Sequence, residues 1–247
     1  MSRPVTPCVV RLLALAILLG AAACSRSDSA AAQGTPQPDT KASPAAAEAP
    51  VPAALSSEDR SAQPRIVFLG DSLTAGLGIG REQAVPALIQ QKVREEGYAY
   101  EVINAGNSGD TSDGGLSRLD WSLSGDVAVL VVELGANDGL RGLPPERTRR
   151  NLESIITTAK QRGITVLLTG MEAPPNYGPA YTAEFRKTFP DVAASQHVAL
   201  MPFFLEGVAG ISSLNQADGV HPTPEGARIV ADNVWRYLKP LLKKTQS

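Results

Sequence analysis

Ser72 stands directly after a short apolar run, Ile66-Val67-Phe68-Leu69, and the turn pair Gly70-Asp71. A hydroxyl in that place becomes a nucleophile only if a base, an orienting acid and oxyanion donors converge on it. The chain holds a candidate for each. His221 offers an imidazole base in a loop that opens the last helical pattern. Asp218, in the turn Asp218-Gly219-Val220-His221, is placed to hold that imidazole in its useful tautomer. The backbone N–H groups of Ser72 and Gly109 and the side-chain amide of Asn137 are candidate donors to a developing oxyanion. Together these residue types suit acyl transfer. Each has a plainer reading as well. Ser72 can cap a helix, Asp71 can order a turn through its own backbone, and Asn137 can form the turn before Asp138-Gly139. Asp110 and Asp138 read as supporting or capping residues, and His197 as a structural one.

The elements that must position these residues alternate along the chain. Ile66–Leu69 is continuously apolar, as in a strand buried on both faces of a parallel sheet. Val85, Leu88, Ile89 and Val93 recur at helical spacing, with Pro86 in the first turn and Gly97 past the end. A second strand is expected over Tyr98–Ile103, a short helix around Leu116 and Leu119, and a third strand over Val127–Leu134. A helix follows Pro145, burying Leu152, Ile155, Ile156 and Ala159 and stopping at Gly163. Ile164–Thr169 reads as a strand, Tyr181, Phe185 and Phe189 as a helical face, and Val198–Met201 as a short fifth strand. Thr223 caps a last helix with Pro224 at its first position and Ala227, Val230, Val234, Tyr237 and Leu238 as its buried stripe. Strand and helix in alternation imply an α/β fold, a parallel sheet covered on both faces. The loops after the first three strands are rich in Gly, Asn, Asp and Ser, which puts one polar site at the carboxyl edge of that sheet.

Gly70-Asp71-Ser72-Leu73, the glycine loop ending Gly109-Asp110-Thr111, Gly135-Ala136-Asn137-Asp138 and Asp218-Gly219-Val220-His221 resemble, in order, the four blocks of the SGNH (GDSL) hydrolase family. The resemblance runs from about Pro64 to Pro240. It is nearest the thioesterase I/lysophospholipase L1 and arylesterase branch, through Asn104-Ala105, Glu133-Leu134-Gly135, Asn137 to Gly142, Pro175-Asn176-Tyr177-Gly178 and Pro202-Phe203-Phe204. It implies a flavodoxin-like three-layer α/β/α sandwich with a five-stranded parallel sheet in the order 2-1-3-4-5, and no cofactor. It also implies Ser72, Asp218 and His221 as the catalytic residues and Ser72, Gly109 and Asn137 as the oxyanion hole. Alignment on Ser108 to Thr111 puts the family's glycine at Gly109, with Gly106 as the rival. The corresponding loop of the branch lies over the acyl site, which makes Leu140, Asn176 and Tyr177 expected substrate contacts. Small acyl esters, thioesters or lysolipids are the implied substrates. A carbohydrate O-deacetylase, or a non-hydrolytic binding module of the cell envelope, is the alternative on the same scaffold. No G-x-S-x-G elbow surrounds Ser72, and Gly76 to Gly80 lacks the dinucleotide spacing G-x-G-x-x-G.

Composition narrows the partners. A formal net charge of -2 in 247 residues gives no basis for nucleic-acid binding. The chain has 2 His and 2 Cys; Cys8 and Cys24 both precede the folded region, so no thiolate metal site is expected in it. Arg3 and Arg11 precede the apolar stretch from Leu12 to Leu19, which is followed by small residues up to Ala23; this reads as a signal peptide over residues 1–23. Cys24 then resembles the lipidated first residue of a bacterial lipoprotein, although Ala21 stands where that signal usually carries leucine; a plain secretory signal is the other reading. Residues 24–63, dominated by Ala, Pro and Ser, are expected to be a disordered tether of roughly 35 Å root-mean-square reach. Residues 64–247 are expected to form the hydrolase domain that the resemblance implies. A monomer in the cell envelope is expected, periplasmic and held to the outer membrane only through Cys24 if the organism is Gram-negative.

Overall fold

The computed structural model describes residues 63–244. The signal segment, Cys24 and the tether up to residue 62 lie outside the described residues. Five strands, β1 (Arg65–Gly70), β2 (Glu101–Gly106), β3 (Val127–Glu133), β4 (Thr165–Thr169) and β5 (Ala199–Met201), form one sheet in the order β2-β1-β3-β4-β5. Every pairing is parallel. The helices are α1 (Ser72–Ala75), α2 (Val85–Glu95), α3 (Ser112–Ser117), α4 (Leu119–Ser122), α5 (Ala136–Leu140), α6 (Pro145–Gln161), α7 (Pro179–Gln196) and α8 (Pro224–Leu238). This is the α/β architecture expected from the alternating pattern.

The apolar strands form because both of their faces are covered. Ile66, Phe68 and Leu69 of β1 and Leu130, Val131 and Val132 of β3 are fully buried. Each such side chain contributes about 1.5–3 kcal/mol on removal from water. Helix α2 turns Val85, Ile89 and Val93 inward, with Pro86 buried beside them and Leu88 only half-buried at the edge of that face, and α6 turns Leu152, Ile155, Ile156 and Ala159 inward, as their spacing predicts. Thr223 caps α8 by accepting from Gly226 N–H, with Pro224 at the first helical position.

Three expectations need correction. The second strand lies three residues later than Tyr98–Ile103. Tyr98 N–H still closes the end of α2 on the Val93 carbonyl, and pairing with β1 begins only at Arg65 opposite Glu101. The single helix around Leu116 and Leu119 is two, broken at Arg118, whose guanidinium turns inward to the carbonyls of Gly70 and Ala105 and to Asp110. On α8, Trp235 is buried where Tyr237 is only half-buried, and Trp235 Nε1–H reaches Glu96, the residue that caps the end of α2, over 2.7 Å.

The sheet order fixes where a site can form. The chain steps from β1 out to β2, then returns across β1 to β3, so the crossovers leaving β1 and β3 diverge. In open α/β sheets, ligands bind at such a switch point, outside the carboxyl ends of the strands. Ser72 follows β1, Asn137 follows β3, and Gly109 follows β2.

Candidate active site

Ser72 opens α1, two residues past the last residue of β1. The turn that presents it is held from inside. Asp71 is fully buried, and its Oδ1 accepts from Leu73 N–H over 3.0 Å, capping the helix that Ser72 begins. Gly70 faces Glu133 across the β1–β3 pairing. Glu133 Oε2 accepts from the Thr74 hydroxyl over 2.7 Å and from Asp71 N–H over 3.3 Å. Gly106 presses against the other side of α1, where a Cβ would collide with the backbone of Ala75. The nucleophile candidate therefore rides on a helix of one turn fixed by buried groups.

His221 comes to it from the far end of the chain. Its Nε2 lies 2.8 Å from Ser72 Oγ, and its Nδ1 lies 2.8 Å from Asp218 Oδ2. Asp218 Oδ1 accepts from Val220 N–H and His221 N–H over 2.9 and 3.0 Å. The backbone N–H bonds of His221 and Val220, and then the imidazole itself, hold the Asp218 carboxyl down at about 2. An ionised carboxylate on Nδ1 keeps the ring proton there and leaves Nε2 free to accept from Ser72.

Among the described residues, the N–H groups of Ser72 and Gly109 have no hydrogen-bond acceptor. Gly106 differs: its N–H is taken by Asn104 Oδ1 over 2.9 Å. Asn137 sits in the first turn of α5 with its Nδ2 donating to Asp71 Oδ2 over 3.1 Å and to the Asp110 carbonyl over 3.0 Å. Both amide hydrogens are engaged, so donation to a further oxygen requires one of them to be shared. Asp110 and Asp138 are supports, as expected. Asp110 pairs with Arg118 Nε over 2.6 Å, and the buried Asp138 accepts from Ser112 and Thr148, fastening α3 to α6. His197 ends α7 in a left-handed conformation and takes no part in the site.

Leu140 and Tyr177 are brought together at the rim: the Tyr177 hydroxyl donates to the Leu140 carbonyl over 2.9 Å, and both side chains are exposed. Tyr181 braces the same loop by donating to the Leu143 carbonyl over 2.8 Å. Asn176 is exposed in the same turn, with no side-chain hydrogen bond among the described residues. Cys24 lies outside the described residues.

Sequence reasoning missed three parts. Arg118 ties the ends of β1 and β2 together, Gln216 bonds both loops of the site, and Glu133 is a fully buried carboxyl whose Oε1 has no partner. Burial, and then the neighbouring Asp71 charge, push Glu133 well above the ordinary carboxylate range; burial likewise raises Asp71 to about 6. An acid at the end of an otherwise apolar strand was the available signal for Glu133. Among the described residues, no group of three His, Cys, Asp or Glu side chains is arranged to hold a metal ion.

The chain is similar to proteins of known family. Residues 68–229 match the model of the GDSL-like Lipase/Acylhydrolase family. The chain is 47% identical to the esterase TesA of Pseudomonas aeruginosa over 184 residues, covering 74% of this chain and 92% of that protein. It is 38% identical to the thioesterase 1/protease 1/lysophospholipase L1 of Escherichia coli over 178 residues, 72% of this chain and 84% of that one. A crystal structure of TesA superposes with a TM-score of 0.70 at 47% identity, covering 72% of this chain and 99% of that one. The chain belongs to the GDSL-like Lipase/Acylhydrolase family, the SGNH hydrolases.

Proposed function

We propose that this protein is an exported serine esterase that hydrolyses acyl esters, and acyl thioesters or lysophospholipids, through an acyl-enzyme on Ser72. The observation that carries the reading is the unbroken line Ser72 Oγ–His221 Nε2 and His221 Nδ1–Asp218 Oδ2, each link 2.8 Å. The names of the relatives support the substrate class: an esterase and a thioesterase/lysophospholipase. A binding module would not require an ionised acid, an oriented imidazole and a hydroxyl in line.

The chemistry follows from that line. His221 Nε2 takes the hydroxyl proton as Ser72 Oγ attacks the acyl carbonyl carbon. The carbonyl π electrons move onto oxygen, which is stabilised by the free N–H groups of Ser72 and Gly109 and by the Asn137 amide. Collapse breaks the bond to the leaving alkoxide or thiolate, which receives the proton from Nε2. Water, deprotonated by the same nitrogen, then attacks the acyl-Ser72 ester; collapse of that intermediate releases the carboxylic acid and returns the proton to Oγ. Asp218 keeps its negative charge throughout and stabilises the imidazolium.

The site lies open at the sheet edge, with Leu140 and Tyr177 as an apolar rim for the acyl chain. Export rests on the Leu12–Leu19 segment and on Cys24. A hydrolysis profile over p-nitrophenyl esters of increasing acyl length, acyl thioesters and lysophospholipids tests the reading. Turnover is expected in the ester series at least, and none in Ser72→Ala. Undiminished turnover in Ser72→Ala overturns it.

A further inference from the structure

Gln216 closes the base of the hairpin that carries Asp218 and His221. Its N–H donates to the His221 carbonyl over 2.7 Å, and its own carbonyl accepts from Gly219 N–H over 2.9 Å. Its side-chain amide reaches two separate parts of the chain. One Nε2 hydrogen goes to the Pro222 carbonyl over 3.0 Å, inside the hairpin; the other goes to the Leu77 carbonyl over 2.7 Å, 139 residues away. Leu77 follows α1, and its N–H donates to the Ser72 carbonyl over 3.1 Å. A continuous path of hydrogen bonds therefore joins the backbone of Ser72 to the residue beside His221 without passing through either reacting side chain. Among the described residues, the Gln216–Leu77 bond and the Ser72–His221 bond are the two hydrogen bonds that join this hairpin to the loop of residues 72–80.

The loop opposite is shaped to receive the amide. Gly78 has φ +79°, and a Cβ there would collide with Gln216 Oε1. Leu77 and Pro222, whose carbonyls receive that amide, also line a small cavity beside Ser72 and His221 with Leu73, Ile79 and Val85. Both hydrogens of Nε2 are used, and Gln216 touches no group that reacts.

We propose that Gln216 is a positioning residue that holds the His221 hairpin on the Ser72 loop, and that it matters most after acylation. The inference rests on the reading of Ser72 as nucleophile and His221 as base. Before acylation the Ser72–His221 hydrogen bond helps to register the two loops. Once Oγ carries an acyl group it has no hydrogen to donate, and that bond is gone. The imidazole must then stand over the acyl carbon long enough to activate water, and the hydrogen-bonded link that remains between the loops is the Gln216 amide. A misplacement of about 1 Å costs on the order of a hundredfold in rate.

Stopped-flow hydrolysis of a p-nitrophenyl ester by Gln216→Met, in the full chain, tests this, with active sites counted by fluorophosphonate titration. The expected result is a clear burst of one p-nitrophenol per site, followed by turnover about tenfold to a hundredfold slower than wild type. Apparent KM should fall along with kcat, as accumulation of an acyl-enzyme requires, and Tm should drop by about 2–4 °C. Gln216→Glu keeps the volume but turns an acceptor toward two carbonyls, and it should show the same burst if the methionine variant folds poorly. Wild-type turnover per titrated site in either folded variant overturns the proposal. So does a loss of kcat with unchanged KM and no burst, the sign of a merely structural role. Failure of the Ser72 reading shows separately, as turnover that persists in Ser72→Ala.

Discussion

The Asn137 side-chain amide donates to the buried carboxyl of Asp71 over 3.1 Å, joining the loop after β3 to the turn that presents Ser72. The same nitrogen reaches the Asp110 carbonyl, so one amide gathers the ends of three strands. A donor held this way is already oriented when charge collects on the acyl oxygen, which is where fixed dipoles act most strongly.

Asn137→Ala should remain folded and lose about 10²–10³ in kcat with little change in KM. Asn137→Asp should be at least as poor, because a second carboxylate would face both Asp71 and the oxyanion. If the residue were only a turn former, aspartate would serve nearly as well. A near-normal kcat in Asn137→Asp removes Asn137 from the site.

Glu133 and Asp71 make stability depend on pH in an unusual direction. Burial raises both carboxyls in the folded state, Asp71 from 3.8 to about 6. The folded protein therefore holds these protons more tightly than the unfolded chain. Their contribution is fully present below about pH 4 and is lost as pH rises through about 6 for Asp71, on the order of 3 kcal/mol. Asp218, held down at about 2, acts oppositely and loses its contribution only as pH falls through that value. Glu133→Gln keeps the acceptor for Thr74 and Asp71 N–H and removes one of the two charges. Its Tm should decline less than that of wild type between pH 4 and 8; equal slopes would show that Glu133 does not carry this dependence.

Tyr177 braces Leu140 through one hydrogen bond at the exposed rim. Tyr177→Phe keeps the ring and loses the brace. KM for long-chain p-nitrophenyl esters should rise roughly two- to tenfold, while kcat on the acetate stays unchanged. An unaltered KM across the chain-length series would take Tyr177 out of the acyl path.

Much of this was legible in the sequence because it is local. Ile66–Leu69 followed by Gly70-Asp71-Ser72 announces a buried strand and its exit turn, and Asp218 and His221 are close enough in the chain to meet within one turn. The cap at Thr223 and the stripes of α2 and α6 follow from periodicity in the same way. The difference between Gly106 and Gly109 was not legible from glycine spacing: Gly106 packs against Ala75 and gives its N–H to the Asn104 side chain, while the Gly109 N–H has no acceptor among the described residues. Arg118, Gln216 and Glu133 act across long separations on backbone carbonyls and buried groups, which no spacing rule encodes. The start of β2 was misplaced because Tyr98 and Tyr100 look like strand residues, while Gln90 pairs with the Tyr100 carbonyl and Val102 N–H on the outer edge.

The proposed export and anchor make a separate expectation. Cys24→Ser should leave the membrane fraction of a cell expressing the full chain. Removal of residues 1–60 should give soluble protein with unchanged turnover, since the sheet begins only at Arg65. Membrane retention of Cys24→Ser would refute the lipid anchor.

The most direct test is to trap the intermediate. The enzyme is mixed with a p-nitrophenyl ester, quenched in acid during the first turnover, digested, and the peptides are weighed. The acyl group should be found on Ser72 in wild type and be absent from Ser72→Ala, with a fluorophosphonate adduct at the same oxygen. An acyl group on another residue, or rapid hydrolysis with no adduct on Ser72 in either trap, would contradict the proposed mechanism.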